Sequence, residues 1–277
     1  MSSAVVFAYH NVGLRCLQVL LAQGVEVRLI ITHEDNPGEN IWFGNVKKLA
    51  QELGLNVITP SDPNAEEIVA QVRAVQPDFL FSFYYRQMLK ASLLNIPRRG
   101  SYNMHGSLLP KYRGRVPTHW AIIKGETETG ATLHAMTEKP DNGDIVDQTA
   151  VPILPNDSAQ EVFEKTVVAA ELTLHRCLPA LLAGTARHTR QDLSKGAYFS
   201  GRKAEDGRIQ WTQSARDIHN LVRAVTRPYP GAFCDTARGR LFIWRSLHTG
   251  FVSSGGPELL AQNGALFARC GDGRLLR

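Results

Sequence analysis

The stretch that decides the fold is Tyr102-Asn103-Met104-His105-Gly106-Ser107-Leu108-Leu109-Pro110-Lys111-Tyr112-Arg113-Gly114-Arg115. It begins with strand-forming residues and ends in a loop rich in Gly and Pro, which is typical of the carboxyl end of a strand. Side chains alternate along a strand, so Asn103 and His105 point to the same face. An amide donor beside an imidazole suits the stabilisation of an oxyanion while a proton is moved. The stretch therefore contains a candidate catalytic pair.

A carboxylate partner for this imidazole is predicted 36 residues after His105. The tetrapeptide Pro140-Asp141-Asn142-Gly143 has the composition of a turn, and such a turn would bring Asp141 back to the strand end. Asp144 is the second candidate for the same role. On spacing alone, an Asn-x-His pair is more often an ordinary polar pair than a catalytic one, so the triplet by itself leaves both interpretations open.

Outward from this strand, apolar runs alternate with segments of helical periodicity. Residues 4–9, 25–31 and 79–85 read as buried strands, which predicts an α/β fold built on a largely parallel sheet with right-handed crossovers. No Gly-x-Gly-x-x-Gly follows the first strand, which argues against a dinucleotide-binding dehydrogenase. The predicted helices cover residues 41–54, 64–75, 117–123 and about 158–183.

The pattern changes after Gln191. Short strands such as 241–244 and 266–268 alternate with Gly/Pro turns, which predicts a small β-barrel. We therefore expect a catalytic domain of residues 1–190 and a separate C-terminal domain of residues 191–277.

Composition is that of a soluble globular protein, with 43% apolar and 21% charged residues among 277. We expect neither a membrane span nor a secretory leader, because no apolar run reaches the roughly 18–20 residues that span a bilayer. The four cysteines lie far apart in sequence, at Cys16, Cys177, Cys234 and Cys270. This spacing indicates neither a disulfide framework nor a zinc site and fits a reducing cytoplasm.

The net charge of +5 is unevenly distributed. Residues 201–277 contain 12 Lys/Arg and 6 Asp/Glu, whereas residues 1–200 contain 19 and 20. A basic C-terminal part fits a phosphate-rich ligand or a nucleic acid, and it fits a solvated basic surface equally well.

Four motifs together carry a family resemblance: Asn103–Pro110, Tyr112-Arg113-Gly114, Glu128-Thr129-Gly130 and Asp141-Asn142-Gly143. They closely resemble those of the 10-formyltetrahydrofolate-dependent formyltransferases. Within that family the chain looks most like the polymyxin-resistance branch, which formylates UDP-4-amino-4-deoxy-L-arabinose. The resemblance runs along nearly the whole chain. It implies a Rossmann-like catalytic domain followed by an OB-like C-terminal domain.

The resemblance also implies site residues. Asn103, His105 and Asp141 match the catalytic positions of the family. The positions matching its folate-binding residues are Gln87, Met88, Leu89, Thr137, Glu138, Lys139, Pro140 and Asp141. The candidate substrate-binding residues are Tyr112, Arg113 and Arg115. The co-substrate would be 10-formyltetrahydrofolate, and no metal is expected. His134, His175 and His188 show no ligand-like spacing, and we expect them to be structural.

The predicted function is transfer of a formyl group to the amine of a nucleotide-linked 4-amino sugar. The alternative is methionyl-tRNA formylation, which the basic C-terminal part favours. The acidic loop at residues 33–40 opposes this alternative, because it would repel an RNA backbone. Formyl hydrolysis, with water as acceptor, and a binding module without catalysis are further alternatives. The sequence does not settle the amino sugar, the nucleotide or whether the chain forms a homo-oligomer.

Overall fold

The structure, a computed structural model, describes residues 2–262 and 264–277. Up to residue 199 its elements are β1 (Ser3–Ala8), α1 (His10–Ala22), β2 (Glu26–Ile31), α2 (Val46–Glu52), β3 (Val57–Ile58), α3 (Glu66–Ala74), β4 (Phe79–Phe83), α4 (Ala91–Leu94), β5 (Ser101–His105), β6 (Arg113–Gly114), α5 (Pro117–Ile123), β7 (Glu128–Ala135), β8 (Ile145–Pro152), α6 (Ala159–Ala183) and β9 (Tyr198–Phe199). Seven of these strands form one sheet in the order β3-β2-β1-β4-β5-β7-β8.

The sheet is mostly parallel, as predicted. Strands β3, β2, β1, β4 and β5 pair in parallel, and β7 joins β5 in the antiparallel direction. Because β1 has β2 on one side and β4 on the other, the strand order reverses between β1 and β4, which is where open α/β sheets place their ligand crevice. The carboxyl ends of β4 and β5 lie side by side, with Ser82 opposite Asn103.

Apolar burial explains why these segments are strands. Every residue of β1 and of β4 is buried, as expected for strands covered on both faces. Phe7, Leu29 and Leu80 lie at the centre of one cluster with at most 1% exposure. Burial of each such side chain is worth roughly 1.5–3 kcal/mol, so this cluster fixes the register of the strands that carry polar residues at their ends.

Helix boundaries follow local capping. Helix α5 has its predicted bounds, since Pro117 occupies its first turn. At the start of α6, Ser158 and Glu161 form reciprocal hydrogen bonds of 2.7 Å and 3.3 Å. Helix α2 starts later than predicted because the Asn45 side chain accepts from Lys48 N at 2.9 Å and caps the helix there. Residues 41–45 are therefore loop.

Within the described residues, α6 is the helix whose length and hydropathy match those of a membrane span. Half of its most apolar 18-residue window is buried inside the protein. The core helix of a globular protein meets the same criterion, so this observation is weak evidence for a membrane segment.

Two compact units divide the chain. One contains residues 1–114, 130–150 and 165–198, and the other contains residues 115–129, 151–164 and 199–277. The units interleave along the sequence, and the predicted domain boundary at residues 190/191 stays a prediction.

The C-terminal elements are α7 (Ala215–Val225), β10 (Ala232–Thr236), β11 (Gly239–Ile243), β12 (His248–Val252), β13 (Glu258–Gln262), β14 (Ala265–Arg269) and β15 (Arg274–Leu276). Strands β10 and β11 form an antiparallel pair, and the other four form a second sheet in the order β12-β15-β14-β13. Arg208 and Phe233 form an isolated parallel bridge outside these strands. Small sheets are thus present, while their closure into an OB-like barrel stays a prediction.

Candidate active site

Strand β5 places Asn103 and His105 at the carboxyl edge of the sheet. His105 is only 7% exposed. Its neighbour across the antiparallel pairing is Thr132, whose Oγ1 accepts from Leu109 N at 3.1 Å and donates to Ser107 O at 2.6 Å. These two bonds fix the loop that follows the strand, so the imidazole is presented from a rigid edge.

The predicted turn does bring Asp141 to this edge. Asp141 Oδ1 lies 3.5 Å from His105 Nδ1, and Asp141 Oδ2 accepts from Gly114 N at 2.8 Å. The turn itself is held by Gln191, whose buried Nε2 donates to the carbonyl oxygens of Asp141 and Gly143 at 3.0 Å and 2.6 Å. Asp141 adopts a left-handed backbone with φ of 57°, a costly conformation that a well-packed site can maintain.

Both ring nitrogens of His105 have a close oxygen neighbour. Its Nε2 lies 2.9 Å from the Tyr112 carbonyl oxygen, which can only accept, so Nε2 carries a hydrogen. Nδ1 faces the Asp141 carboxylate, another acceptor. Both ring nitrogens therefore face oxygen acceptors, which fixes the orientation of the ring.

His134 also lies in this cluster, which the sequence analysis missed. Its Nε2 lies 3.6 Å from Asp141 Oδ1 and 3.1 Å from Asn103 Nδ2, and the residue is 2% exposed. Its Nδ1 is 2.9 Å from the Ala135 carbonyl oxygen, so a hydrogen sits on Nδ1, and its Nε2 is hydrogen-bonded to the Asn103 amide. That bond orients the Asn103 amide and leaves its second N–H available.

Electrostatics keep Asp141 ionised. Burial by itself raises the pKa of this carboxyl group, but the charge of His105, the contact with His134 and the Gly114 N–H together outweigh it. The resulting pKa lies well below the usual value. The site therefore combines a carboxylate, an imidazole and an oriented amide.

The two predicted folate-binding segments adjoin one apolar cluster. Leu89 is a buried member of the cluster around Phe7, and Met136, immediately before the second segment, packs against the same cluster. Met88 is 56% exposed, and its carbonyl oxygen accepts from Asn64 Nδ2 at 2.9 Å. Gln87 Nε2 donates to Ser61 O at 2.8 Å. Gln87 and Met88 are thus the exposed residues of the first segment, and Leu89 is its buried one.

The second segment is an exposed loop closed on itself. Thr137, Glu138 and Lys139 are exposed, and Thr137 Oγ1 donates to Lys139 O at 2.8 Å. Pro140 connects this loop directly to Asp141. The loop and the carboxylate are therefore neighbours along the chain.

The predicted substrate-binding residues have different surroundings. Tyr112 is 8% exposed, and its carbonyl oxygen contacts His105. The guanidinium of Arg113 donates to Asn142 Oδ1 at 2.8 Å and to Gly196 O at 2.9 Å, so its donors are directed into the protein. Arg115 is exposed.

Acidic side chains of the 33–40 loop are paired within the protein. Glu34 contacts Lys47, Asp35 accepts from Tyr9 Oη at 2.8 Å, and Glu39 forms an ion pair of 2.8 Å with Arg86. The ion pairs of Glu34 and Glu39 reduce the net negative charge that the loop presents to an approaching anion.

Metal-ligating side chains do not cluster among residues 2–262 and 264–277. No group of three His, Cys, Asp or Glu side chains there has the arrangement of a metal site. The four cysteines are buried free thiols.

The chain matches two models of one protein family. Residues 12–178 match the formyl transferase family model, and residues 202–276 match the C-terminal domain model of the same family. The chain belongs to the formyl transferase family, and the prediction of a formyltransferase is confirmed.

Solved structures with the same fold include three of interest. An N-formyltransferase from Helicobacter canadensis, in complex with folinic acid and dTDP-3-aminofucose, is 21% identical with a TM-score of 0.79, and the match covers 100% of this chain and 98% of that one. A 4-N formyltransferase from Francisella tularensis is 21% identical with a TM-score of 0.71, covering 87% and 96%. A methionyl-tRNA formyltransferase from Clostridium thermocellum is 15% identical with a TM-score of 0.60, covering 97% and 96%.

Proposed function

We propose that this formyltransferase moves the formyl group of 10-formyltetrahydrofolate to the amine of a nucleotide-linked amino sugar. The observation that carries the proposal is the meeting of Asn103, His105 and Asp141 at the carboxyl edge of the sheet. Structures of sugar N-formyltransferases with this fold contain folate derivatives and a dTDP-amino sugar, which supports both substrates.

The reaction needs one bond formed, one broken and one proton moved. The amine nitrogen attacks the formyl carbon, and the tetrahedral intermediate carries an oxyanion and a cationic nitrogen. Transfer of the proton from that nitrogen to N10 and cleavage of the carbon–N10 bond give the formamide and tetrahydrofolate. The substrate amine is the nucleophile, so the protein must supply only charge stabilisation and proton transfer.

Asn103 is the proposed oxyanion donor. One N–H of its amide binds His134 Nε2 at 3.1 Å, and the other is left for the oxyanion. Loss of such a donor costs roughly 3–4 kcal/mol in the transition state.

His105 is the proposed proton carrier. Both ring nitrogens have partners, so one contact must open when the reactants bind. The contact from Nδ1 to Asp141, at 3.5 Å, is longer than the 2.9 Å contact from Nε2 to the Tyr112 carbonyl oxygen. Proton exchange through Nδ1 is therefore the less costly route, and Asp141 favours the charged ring between the two transfers.

The proposed folate pocket lies against the segments 87–89 and 137–141. Their shared apolar cluster offers one wall for a pterin ring, and the backbone groups of the exposed loop offer polar contacts. The site residues for folate are accordingly Gln87 to Leu89 and Thr137 to Asp141.

UDP-4-amino-4-deoxy-L-arabinose is the first candidate acceptor. This choice rests on the likeness of the chain to the formyltransferase domain of the bifunctional polymyxin-resistance protein ArnA, above all in the motifs around Asn103 and Asp141. Methionyl-tRNA is the second candidate, favoured by the excess of basic residues after position 200 and by the shared fold of a methionyl-tRNA formyltransferase.

An acceptor screen tests the proposal. The enzyme is incubated with 10-formyltetrahydrofolate and with UDP- or dTDP-linked 3- and 4-amino sugars, and the gain of one formyl group is followed by mass spectrometry. Asn103→Ala and His105→Ala should lose transfer by at least about 100-fold while retaining folate binding. His175→Ala, at an exposed histidine of α6, is the matched control. Formylation of initiator methionyl-tRNA but of no amino sugar would refute the proposal.

A further inference from the structure

Two arginines in the second compact unit lie along neighbouring extended segments. Arg115 N donates to Phe199 O at 2.9 Å, which ties the segment after β6 to the one that continues β9. A Cβ built on Gly201 would lie 3.6 Å from Cδ, Nε and Cζ of Arg115. The Arg115 side chain therefore runs along the backbone at Gly201, and Arg202 is the next residue.

The Arg202 guanidinium is held in place by an aromatic surface. Its Cζ lies 4.9 Å from the centroid of the Trp120 ring, a cation–π geometry. Trp120 is itself fixed, since its Nε1 donates to Ser200 O at 3.0 Å and its ring packs 5.2 Å from Phe199. Arg202 Nη2 donates to Asp206 O at 2.8 Å. Such a prearranged guanidinium loses little conformational entropy when it binds a ligand.

Neither cation has an ion-pair partner within the described part of the chain. No carboxylate oxygen there lies within 4 Å of the guanidinium of Arg115 or Arg202. Arg202 is half-buried, and this burial lowers its pKa despite the charge of Asp206 at longer range. A partly desolvated cation without a counter-ion is costly, and a bound anion would remove that cost.

We propose that Arg115 and Arg202, with Trp120 as the support for Arg202, bind the diphosphate of a nucleoside diphosphate. Two guanidinium groups match two adjoining phosphates, because each can bind phosphate oxygens in the bidentate manner. The inference rests on the proposed function, since a nucleotide-linked acceptor contains such a diphosphate. The carboxylates of a folate tail are the competing anion, and the experiment separates the two.

Binding of UDP to the full-length protein, measured by calorimetry, tests the site. Arg202→Gln should weaken UDP binding by about 10- to 100-fold, because a charge-assisted hydrogen bond is lost. Arg202→Lys should recover only part of the affinity, since lysine cannot bind in the bidentate manner. The matched control is Arg216→Gln, which removes an exposed arginine of α7 and should leave UDP binding unchanged. Folinic acid binding should be the same in all variants.

Three outcomes would overturn the site: no binding of UDP to the wild type, wild-type affinity in Arg202→Gln, or loss of folinic acid binding in place of UDP binding. If Arg202→Gln does not fold, Arg115→Gln, at an exposed position, carries the same expectation. The proposed function fails separately, when the wild type formylates no amino sugar while UDP binding still depends on Arg202. Conversely, Arg202→Gln could transfer the formyl group with an unchanged KM for the sugar nucleotide. That result would refute the diphosphate site and leave the proposed function intact.

Discussion

Gly143→Ala is the substitution expected to separate Asp141 from His105 without altering either residue. A Cβ on Gly143 would lie 1.8 Å from the Ala135 carbonyl oxygen and 2.7 Å from its carbon. Both atoms belong to the backbone of β7, which cannot rotate away as a flexible side chain would. Ordinary contact begins at 3.4 Å, so the turn must move from the strand by roughly 1.5 Å.

The size of the effect follows from the bonds that hold this turn. Ala135 N donates to Asp144 O at 2.9 Å, and Gln191 Nε2 donates to the carbonyl oxygens of Asp141 and Gly143. Overpacking costs about 1–3 kcal/mol and each strained hydrogen bond about 1 kcal/mol, so we expect a loss of about 2–5 kcal/mol in the free energy of unfolding. A displacement of about 1 Å in a catalytic group costs on the order of 100-fold in rate.

Urea unfolding and kcat for formyl transfer measure the two effects on the same protein. Gly256→Ala is the control, because its Cβ would meet nothing within 4 Å and its φ is not left-handed. This control should keep wild-type stability within about 1 kcal/mol and unchanged kcat. Wild-type kcat in Gly143→Ala would show that the distance between Asp141 and His105 does not govern the reaction.

Three further predictions concern single contacts. His134→Leu should lower kcat by about 10-fold or more because the Asn103 amide loses the acceptor that orients it, and His134→Gln, which offers an amide oxygen, should restore part of kcat with KM for folate unchanged in both. The pKa of Asp141 is lowered, so its contribution to stability is present above its usual pKa of 3.8 and is lost as the pH falls. The free energy of unfolding of the wild type should therefore decline more steeply below about pH 4 than that of Asp141→Asn. Parallel curves for the two proteins would contradict the ion pair. Ser158→Ala removes the cap of α6 and should lower the free energy of unfolding by about 1 kcal/mol, whereas Ser253→Ala, outside any helix, should change it little; equal effects would argue against the capping box.

Local signals in the sequence were sufficient for the elements that carry the catalytic pair. Alternation along β5 placed Asn103 and His105 on one face, and the spacing from His105 together with the family's Asp-x-Gly element selected Asp141 over Asp144. Pro117 and Ser158 marked helix starts that the structure confirms. Apart from the spacing of Asp141 from His105, each of these predictions depends on residues a few positions apart.

The sequence analysis missed His134 because its place in the site depends on the pairing of strands that are distant in sequence. His134 enters the site only because β7 runs antiparallel to β5 in a register that sets His134 opposite Asn103. That register is not encoded in the spacing of His134 from other histidines, which was the criterion for reading it as structural. A search for polar residues on the strand after Glu128-Thr129-Gly130 would have found it, since this strand must pair somewhere near the site.

The loop at residues 112–114 holds both members of the ion pair. The carbonyl oxygen of Tyr112 binds His105 Nε2, and the N–H of Gly114 binds Asp141 Oδ2, so a shift of this loop displaces the imidazole and the carboxylate together. Between them, Arg113 anchors the loop to Asn142 and Gly196. This accounts for the inward direction of the Arg113 guanidinium, which stabilises the geometry of the site. In the proposed diphosphate site, Arg115 is the arginine of this stretch that takes part, because it is exposed and forms no ion pair among the described residues.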